Sequence, residues 1–286
     1  MEIQNLFKKE IDNISVHQAQ KEALGKLRFK KDWPHFNGKN KQAYFMEREG
    51  VGFDEKSNDA FVNKVKLLLK KSPWLFSFVY NLMNPSWSGI SAKKAIQGIS
   101  AGNIILNLGS GVTVVRPDVI NIDFYPFENV NFVADIKSLP FEDNSVDGII
   151  SECVLEHVRD PKATIEEMHR ILKPGGLVYV IVPFVFSFHS SPHDFYRWSK
   201  MGLREEFRHF EETRSGIYFG PGHAVSWILS EYFGTILSFG FKKLHQILFM
   251  VFLILFTPLC YLDFILNKIK TSENIASHVY FLGHKK

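Results

Sequence analysis

The stretch Ile104-Ile-Leu-Asn-Leu-Gly-Ser-Gly111 decides how this chain folds. Its apolar run is typical of a buried parallel strand, and the glycines after it allow a sharp turn and a close approach of the backbone to a ligand. A second apolar run, Val119-Ile-Asn-Ile-Asp123, ends in a carboxylate a short distance later, in the order of a nucleotide-binding βαβ unit. We therefore expect the glycine turn to hold the charged end of a ligand and Asp123 to accept hydrogen bonds from ribose hydroxyls.

Strands and helices alternate along the residues that follow. Apolar runs and helix caps predict strand 132–135, strand 147–151, helix 161–172 and strand 177–183, in that order. The helix has Asp160 as its N-cap and Pro161 at its first position. This alternation predicts a doubly wound α/β sheet.

At these residues the chain resembles the class I S-adenosylmethionine-dependent methyltransferases, in the branch with the type 11 methyltransferase domain. Six motifs carry the resemblance, in the family's order, over roughly residues 103–184: Leu106-Asn-Leu-Gly-Ser-Gly111, Asn121-Ile-Asp123, Ala134-Asp135 with Leu139-Pro-Phe141, Asp147-Gly-Ile149, Val154-Leu-Glu-His-Val158 with Asp160-Pro161, and Arg170-Ile-Leu-Lys-Pro-Gly-Gly176. The chain departs from the family at Asn107, where Asp or Glu is usual, and at Thr113, where a third glycine is common.

The resemblance implies a Rossmann-like, seven-stranded methyltransferase sheet of order 3-2-1-4-5-7-6 and S-adenosylmethionine as the cofactor. It places the methionine end of the cofactor at the glycine turn, the ribose at Asp123 and the adenine amino group at Asp135. The cofactor-binding residues implied in this way are Asn107, Gly109, Ser110, Gly111, Asp123, Asp135, Ile136 and Ser151.

Composition sets the outer limits of the prediction. A chain of 286 residues forms one sizeable core with appendages, or at most two domains. The formal net charge of +4 does not by itself indicate a nucleic-acid partner, and two cysteines exclude both a disulfide framework and a cysteine-based zinc site. The first residues lack the apolar core of a signal peptide, so we expect a cytoplasmic enzyme.

We divide the chain into three parts. Residues 1–90 are a helical N-terminal extension, with helices expected over 61–69 and from Pro73 onward. Residues 91–221 and 276–286 form the methyltransferase core, which includes a loop at 142–144 expected over the ligand pocket. Residues 222–275 are a helical hairpin inserted before the last strand, which we expect over 277–283.

A loop rich in aromatic and polar residues follows the strand that ends at Pro183. We call residues 184–198 the acceptor loop, because ligands in open α/β sheets bind outside the carboxyl ends of the strands. Its candidate catalytic residues are His189, His193 and Asp194, since a histidine can take a proton from an acceptor near neutral pH and an aspartate can orient the ring. The alternative is that Asp194 pairs with Arg197 and only shapes the loop.

Glu156 and His157 raise the question of a metal ion, because ubiquinone-pathway O-methyltransferases carry a Glu-x-x-Glu-His metal site in the matching place. Here Cys153 stands three residues before Glu156, and the nearest carboxylate, Glu152, is shifted by one position. We therefore expect no metal, and a histidine that begins a helix near the pocket, and a divalent metal ion at Glu156 and His157 stays open as the alternative.

The hairpin contains a stretch at 246–262 that carries no charge, with Lys242 and Lys243 before it. Such a helix is either buried or in lipid, and it borders on the length needed to span a bilayer. A single crossing would put the last strand on the wrong side of the membrane. We therefore expect the hairpin to lie in the cytoplasmic leaflet, with a bend at Pro258, and charged substitutions at Phe249, Phe252 and Phe256 to release the protein without unfolding it. The alternative is a buried helix that covers the sheet.

The predicted function is methyl transfer from S-adenosylmethionine to a hydroxyl, amine or carbon of an unidentified acceptor, lipid-linked or glycan-related. Two alternatives stay open. One is a non-catalytic Rossmann-like scaffold at the membrane. The other is an NAD-dependent oxidoreductase, which the absence of a complete G-x-G-x-x-G disfavours.

Overall fold

The computed structural model describes residues 18–30, 37–39, 42–45, 85, 89–189 and 193–286. The helices expected over 61–69 and after Pro73 lie outside these residues. In chain order the described elements are α1 (Gln18–Lys26), β1 (Asn37–Lys39), β2 (Gln42–Tyr44), α2 (Ala92–Ala95), β3 (Ile105–Leu108), β4 (Ile120–Asp123), β5 (Phe132–Val133), β6 (Val146–Glu152), a 3₁₀ turn (Leu155–His157), α3 (Pro161–Ile171), β7 (Leu172–Pro183), α4 (Lys200–Glu206), β8 (Phe210–Phe219), α5 (Pro221–Leu237), α6 (Lys242–Tyr261), α7 (Asp263–Leu266), a second 3₁₀ turn (Lys270–Ile275) and β9 (His278–Lys285).

The strands form one sheet in the order β1-β2-β5-β4-β3-β6-β7-β9-β8. From β5 to β8 this order is 3-2-1-4-5-7-6 when the strands from β3 onward are numbered along the chain, as the resemblance implied. Strands β3 to β7 pair in parallel, and β9 runs antiparallel between β7 and β8. The Rossmann-like methyltransferase fold is confirmed, and so is the helical insertion between its last two strands.

The N-terminal extension differs from the helical segment we expected, because it adds two strands to the sheet. β1 and β2 pair antiparallel, and β2 pairs in parallel with β5, aligning Ala43 with Phe132. The reason is an aromatic cluster: Phe45, which follows β2, stacks on Phe29 at 5.5 Å and lies 5.4 Å from the ring of Phe132. Burying these rings stabilises the extension against the edge of the core sheet.

The loop at 142–144 lies away from the ligand edge, so the expectation that it covers the pocket is wrong. The main-chain nitrogen of Asn144 donates to the carbonyl of Arg170, near the end of α3, and Lys285 at the end of β9 donates to the Asn144 side chain. After β5 the chain has to return to the amino end of β6. This loop lies at that end, opposite the carboxyl ends of the strands where ligands bind.

The hairpin of α5 and α6 is closed by Asp263. Its carboxylate accepts hydrogen bonds from the main-chain nitrogens of Gly222, at 2.7 Å, and His223, at 3.1 Å, and so caps the start of α5. The expected bend at Pro258 is wrong, since Pro258 lies inside α6, which continues to Tyr261. Leu262 keeps helical dihedral angles, with φ of −64° and ψ of −21°, and α7 follows it directly, with Asp263 held against the base of α5 by its capping bonds.

Candidate functional site

The glycine turn after β3 is held at the carboxyl edge of the sheet by its own backbone. The main-chain nitrogens of Gly109 and Ser110 both donate to the carbonyl of Ile122 in β4, at 2.8 and 3.1 Å. Gly109 and Gly111 have φ of +67° and +54°, which residues with a Cβ rarely adopt. A Cβ on Gly109 would lie 2.5 Å from a methyl of Val154, whereas a Cβ on Gly111 would meet no atom within 4 Å. Gly109 is therefore required by packing, and Gly111 borders open space.

Two strand-end carboxylates flank the turn. Asp123 accepts from the main-chain nitrogens of Gly111 and Tyr125, both at 2.8 Å, and its burial raises the pKa of its carboxyl above the ordinary value despite these bonds. Asp135 is half exposed and accepts from the main-chain nitrogen of Lys137 at 3.0 Å. Each carboxylate oxygen has a second lone pair, so these bonds leave acceptor capacity for a ligand.

Two serine hydroxyls near the turn are buried without a partner. Among the described residues, Ser110 Oγ and Ser151 Oγ make no hydrogen bond, although Ser110 is 5% and Ser151 0% exposed. Native proteins rarely leave a buried hydroxyl unsatisfied, so a ligand atom at this position would remove a penalty of about 1–3 kcal/mol. Ile136 contributes to the hydrophobic core, and Asn107 donates to Asn121 Oδ1 at 3.2 Å inside the sheet. The side chains of Ile136 and Asn107 therefore make contacts within the fold.

These residues fit a ligand with a charged amino-acid end and a ribose. The open space beside Gly111, the two unsatisfied serines and the two carboxylates all belong to the carboxyl edge of β3 to β6. Asn107 places no negative charge at the turn, unlike the acidic residue usual in the family. Gly109 to Gly111, Asp123 and Asp135 are the residues that could hold such a ligand.

The acceptor loop is attached to the 3₁₀ turn that follows β6. The main-chain nitrogen of Phe195 donates to the carbonyl of Glu156 at 2.7 Å, and the carbonyl of His193 accepts from Nδ1 of His157 at 2.5 Å. These two bonds bring the loop beside Glu156 and His157, a few residues beyond Ser151. The loop therefore borders the same edge of the sheet as the glycine turn.

Asp194 and Arg197 pair, as the alternative interpretation of the loop predicted. Asp194 accepts two hydrogen bonds from the Arg197 guanidinium. Burial alone would raise the pKa of Asp194, but these bonds hold it below the ordinary value. The same carboxylate accepts from the main-chain nitrogen of His189 at 2.8 Å and lies 3.6 Å from its Nδ1. Asp194 is thus brought together with His189, while the side chain of His193 is exposed and contacts the ring of Phe195.

Sequence reasoning missed an aromatic contact between the acceptor loop and the hairpin. The ring of Phe186 packs against His189 at 5.2 Å, against Trp227 of α5 at 4.5 Å and against His278 of β9 at 4.8 Å between ring centroids. His278 and His223 are both buried and both contact the hydroxyl of Ser277 at 2.9 Å. No motif marks these residues, since they meet only when the insertion folds back on the sheet.

A comparison with known proteins agrees with this geometry. Residues 113–180 match the model of the methyltransferase domain family Methyltransf_11. This segment of the chain is similar to the methyltransferase domain of that family, as the sequence motifs indicated. The matched residues begin just after the glycine turn and end in β7, so they include both strand-end carboxylates.

Two curated relatives match the methyltransferase domain. An arsenite methyltransferase of Halobacterium salinarum is 31% identical over 117 residues, which are 32% of this chain and 30% of that protein. A demethylmenaquinone methyltransferase of Staphylococcus epidermidis is 32% identical over 90 residues, which are 31% of this chain and 33% of that protein. The chain thus spans about a third of the length of these relatives.

Solved structures of methyltransferases are similar to a lower degree. A phosphoethanolamine N-methyltransferase of Haemonchus contortus, solved with S-adenosylmethionine, is 16% identical, with a TM-score of 0.44, and the match covers 77% of this chain and 59% of that one. This similarity is too low to bear on the activity. The acceptor loop and the hairpin have to be interpreted from their own contacts.

Proposed function

We propose that this protein transfers a methyl group from S-adenosylmethionine to an acceptor that binds between the glycine turn and the acceptor loop. The observation that carries the proposal is the turn itself. Gly111 has a positive φ and open space beside it, and its main-chain nitrogen is tied to Asp123 at the edge where ligands of α/β sheets bind.

The residues of the chain would mainly position the reactants. S-adenosylmethionine supplies a methyl group already activated on a sulfonium. Gly109 to Gly111 would hold its amino-acid end, Asp123 its ribose and Asp135 its adenine amino group. Holding two reactants at the right distance and angle lowers the barrier of such a displacement substantially. His189, fixed next to Asp194, is the loop residue placed to accept a proton from the acceptor, with the exposed His193 as the second candidate.

The hairpin supports a membrane location, because small residues let the backbones of its two helices approach closely. The face of α5 buried against α6 carries small residues at intervals of four: Gly222, Ser226, Ser230 and Gly234. A Cβ on Gly222 would lie 2.0 Å from the carbonyl oxygen of Leu259 in α6, so the two backbones are in close contact. Interfaces of small residues that let backbones approach are typical of helices packed in lipid.

The outer face of the hairpin is apolar. Lys242–Leu266 is long and apolar enough to cross a membrane, and only 22% of its most apolar stretch is buried. The exposed large hydrophobic residues of α6 are Leu244, Ile247, Val251, Ile254, Leu255 and Tyr261. A core helix of a soluble protein would bury such residues. Patches of this extent mark an interaction surface.

The charges around this apolar face favour a hairpin that lies in the interface rather than one that crosses it. Lys242 and Lys243 begin α6, and Lys268 and Lys270 follow α7. β9 returns to the same sheet after the hairpin, which requires both ends of the hairpin on one side of the membrane. We therefore place the protein at the cytoplasmic leaflet, where basic residues meet anionic headgroups.

An acceptor that is lipid-linked or glycan-related fits this location. Phe186 joins the acceptor loop directly to Trp227 of the hairpin, so the loop lies next to the proposed membrane surface. The test is a comparison of methylated products in cells with and without the protein, after labelling with methyl-labelled methionine. We expect a labelled product in the lipid extract that depends on the protein. Label that appears only in water-soluble molecules would contradict a lipid-linked acceptor but not methyl transfer.

A further inference from the structure

Glu156 is a buried carboxyl group without a hydrogen-bond partner among the described residues. It is 0% exposed, and neither of its oxygens makes a hydrogen bond among the described residues. Leaving a carboxyl group in this state is unfavourable, because its oxygens lose water without gaining a donor. The group therefore needs either a structural reason or a ligand.

The neighbouring cation, Arg197, donates no hydrogen bond to Glu156. Arg197 has five N–H donors, and all five are used: two by Asp194 and the others by the carbonyls of Phe186, Ser187 and Tyr196. The guanidinium has no donor left for a second carboxylate. A hydrogen-bonded ion pair between Glu156 and this arginine is thus excluded, and only the electrostatic attraction of the guanidinium remains.

Two histidines stand beside Glu156. His157 Nδ1 faces the carbonyl of His193, which can only accept, so Nδ1 carries the proton and Nε2 presents its lone pair. Nε2 lies 3.7 Å from Glu156 Oε1. The ring of His189 meets the ring of His157 edge-on at 4.9 Å. One ligand atom from each of Glu156, His157 and His189 lies within 4.8 Å of the other two.

We propose that Glu156, His157 and His189 form a binding site for a divalent zinc-like metal ion. This differs from our expectation of no metal, which considered only positions before Glu156. The third ligand comes instead from the acceptor loop, where no spacing motif points to it. The bond from His157 Nδ1 to a carbonyl and the contact of Asp194 with His189 are the outer interactions that usually orient histidine ligands.

The ligand set favours zinc over magnesium. Two imidazoles and one carboxylate are common ligands of catalytic zinc, which keeps a fourth position open, whereas magnesium prefers oxygen ligands. Tetrahedral ligands of zinc lie about 3.3 Å apart, so the three side chains would move closer together by about 1.5 Å or less. An ion here would lie between the 3₁₀ turn and the acceptor loop, and its open position would be available to polarise an acceptor oxygen. With the ion bound, His189 would be a ligand, and His193 would be the loop residue that accepts a proton from the acceptor.

The test measures metal binding alone, so it is independent of methyl transfer. The full-length chain in detergent, stripped with a chelator, is titrated with Zn²⁺, with Mg²⁺ and with Co²⁺ as a spectroscopic probe. We expect one Zn²⁺ per chain, a cobalt spectrum of a four-coordinate site and no binding of Mg²⁺. Absence of Zn²⁺ binding by the folded wild type would overturn the proposal.

Variants locate the ion. Glu156→Gln keeps the shape of the side chain but removes its charge, and His189→Gln removes the loop ligand. We expect each to weaken Zn²⁺ binding at least tenfold to a hundredfold, while the control His209→Gln, a histidine on the distant α4–β8 surface, leaves it unchanged. A Cys153→Ser variant is also expected to bind normally. Zn²⁺ binding that survives both Glu156→Gln and His189→Gln, or is lost in Cys153→Ser alone, would refute the assigned ligands. If Glu156→Gln does not fold, the Zn²⁺ affinity of His189→Gln alone tests the assigned ligands.

Discussion

The main-chain nitrogen of Gly111 donates a 2.8 Å hydrogen bond to Oδ2 of Asp123, and this bond joins the glycine turn to the strand-end carboxylate. The two parts of the proposed cofactor site are therefore one unit. A change in the carboxylate affects both the ribose contact and the shape of the turn.

Replacing Asp123 by Ala should weaken S-adenosylmethionine binding about tenfold to a hundredfold. The physical reason is the loss of a charged acceptor, whose hydrogen bonds are worth about 1.5–3 kcal/mol. Calorimetric titration measures the affinity, and thermal unfolding shows whether the turn survives. The control is Glu128→Ala, an exposed carboxylate on the following loop. Unchanged affinity in Asp123→Ala would remove Asp123 from the site.

Gly109→Ala and Gly111→Ala should differ in stability. Both place a Cβ at a positive φ, which is unfavourable by about 1–2 kcal/mol. Only Gly109→Ala also forces a methyl to 2.5 Å from Val154, which adds about 1–3 kcal/mol of overpacking. Chemical unfolding of the two variants measures this difference. Gly111→Ala should instead lose cofactor affinity, because its methyl enters the open space. Equal destabilisation would show that Val154 moves aside freely.

Three consecutive residues of α6 test the membrane surface. Ile254 and Leu255 are 64% and 61% exposed, whereas Leu253 is 7% exposed and faces α5. Ile254→Glu with Leu255→Glu should move the protein from the membrane fraction to the soluble one without lowering its unfolding temperature. Leu253→Glu should destabilise the fold, because it buries a charge. If the variant with both Ile254→Glu and Leu255→Glu stays bound to anionic vesicles, this surface is not the membrane anchor.

The three phenylalanines first considered for that experiment are unsuitable. Phe249 packs on Trp227, and the rings of Phe252 and Phe256 lie 5.3 and 5.8 Å from that of Phe233 in α5. Phe249 is buried, and Phe252 and Phe256 are half-buried beside α5. A charge at these positions would report on folding as well as on membrane contact.

The buried His223 should make the fold sensitive to acid. Its burial lowers its pKa to about 3, and burial also holds the pKa of His278 well below the ordinary value. Below pH 6.5 His223 binds a proton in the unfolded chain but stays neutral in the folded protein. The contribution of His223 to the free energy of unfolding is therefore complete above pH 6.5 and is lost as the pH drops toward 3. At pH 5 the loss from His223 is about 2 kcal/mol. Unfolding measured between pH 7 and pH 5 should show a smaller loss of stability in His223→Gln than in wild type.

Asp194 should matter more than His193 for product formation. Asp194 holds both Arg197 and His189, whereas the His193 side chain is exposed. Label transfer from S-adenosylmethionine into a cell extract should fall more in Asp194→Ala than in His193→Ala. Both variants should keep nearly normal cofactor affinity. If both lose cofactor binding while folded, the acceptor loop has been assigned to the wrong side of the site.

The strands, turns and helices of the core could be predicted because they depend on local signals. The turn after Leu108, the carboxylate of Asp123 and the caps around α3 each act within a few residues, whereas the order in which the strands pair came from the resemblance. Side-chain partners across the fold could not be predicted in this way. Asp194 has two neighbouring histidines in sequence, and only the contacts of the folded loop select His189 over His193. The apolar stretch of α6 likewise does not reveal which side faces α5, since nearly every position is apolar.

The central claim is that the glycine turn binds S-adenosylmethionine. Calorimetric titration of the full-length chain in detergent, with S-adenosylmethionine and separately with NAD, tests it most directly. The account predicts one binding site for S-adenosylmethionine per chain and no heat with NAD. A folded protein that binds NAD, or that binds neither molecule, would contradict it.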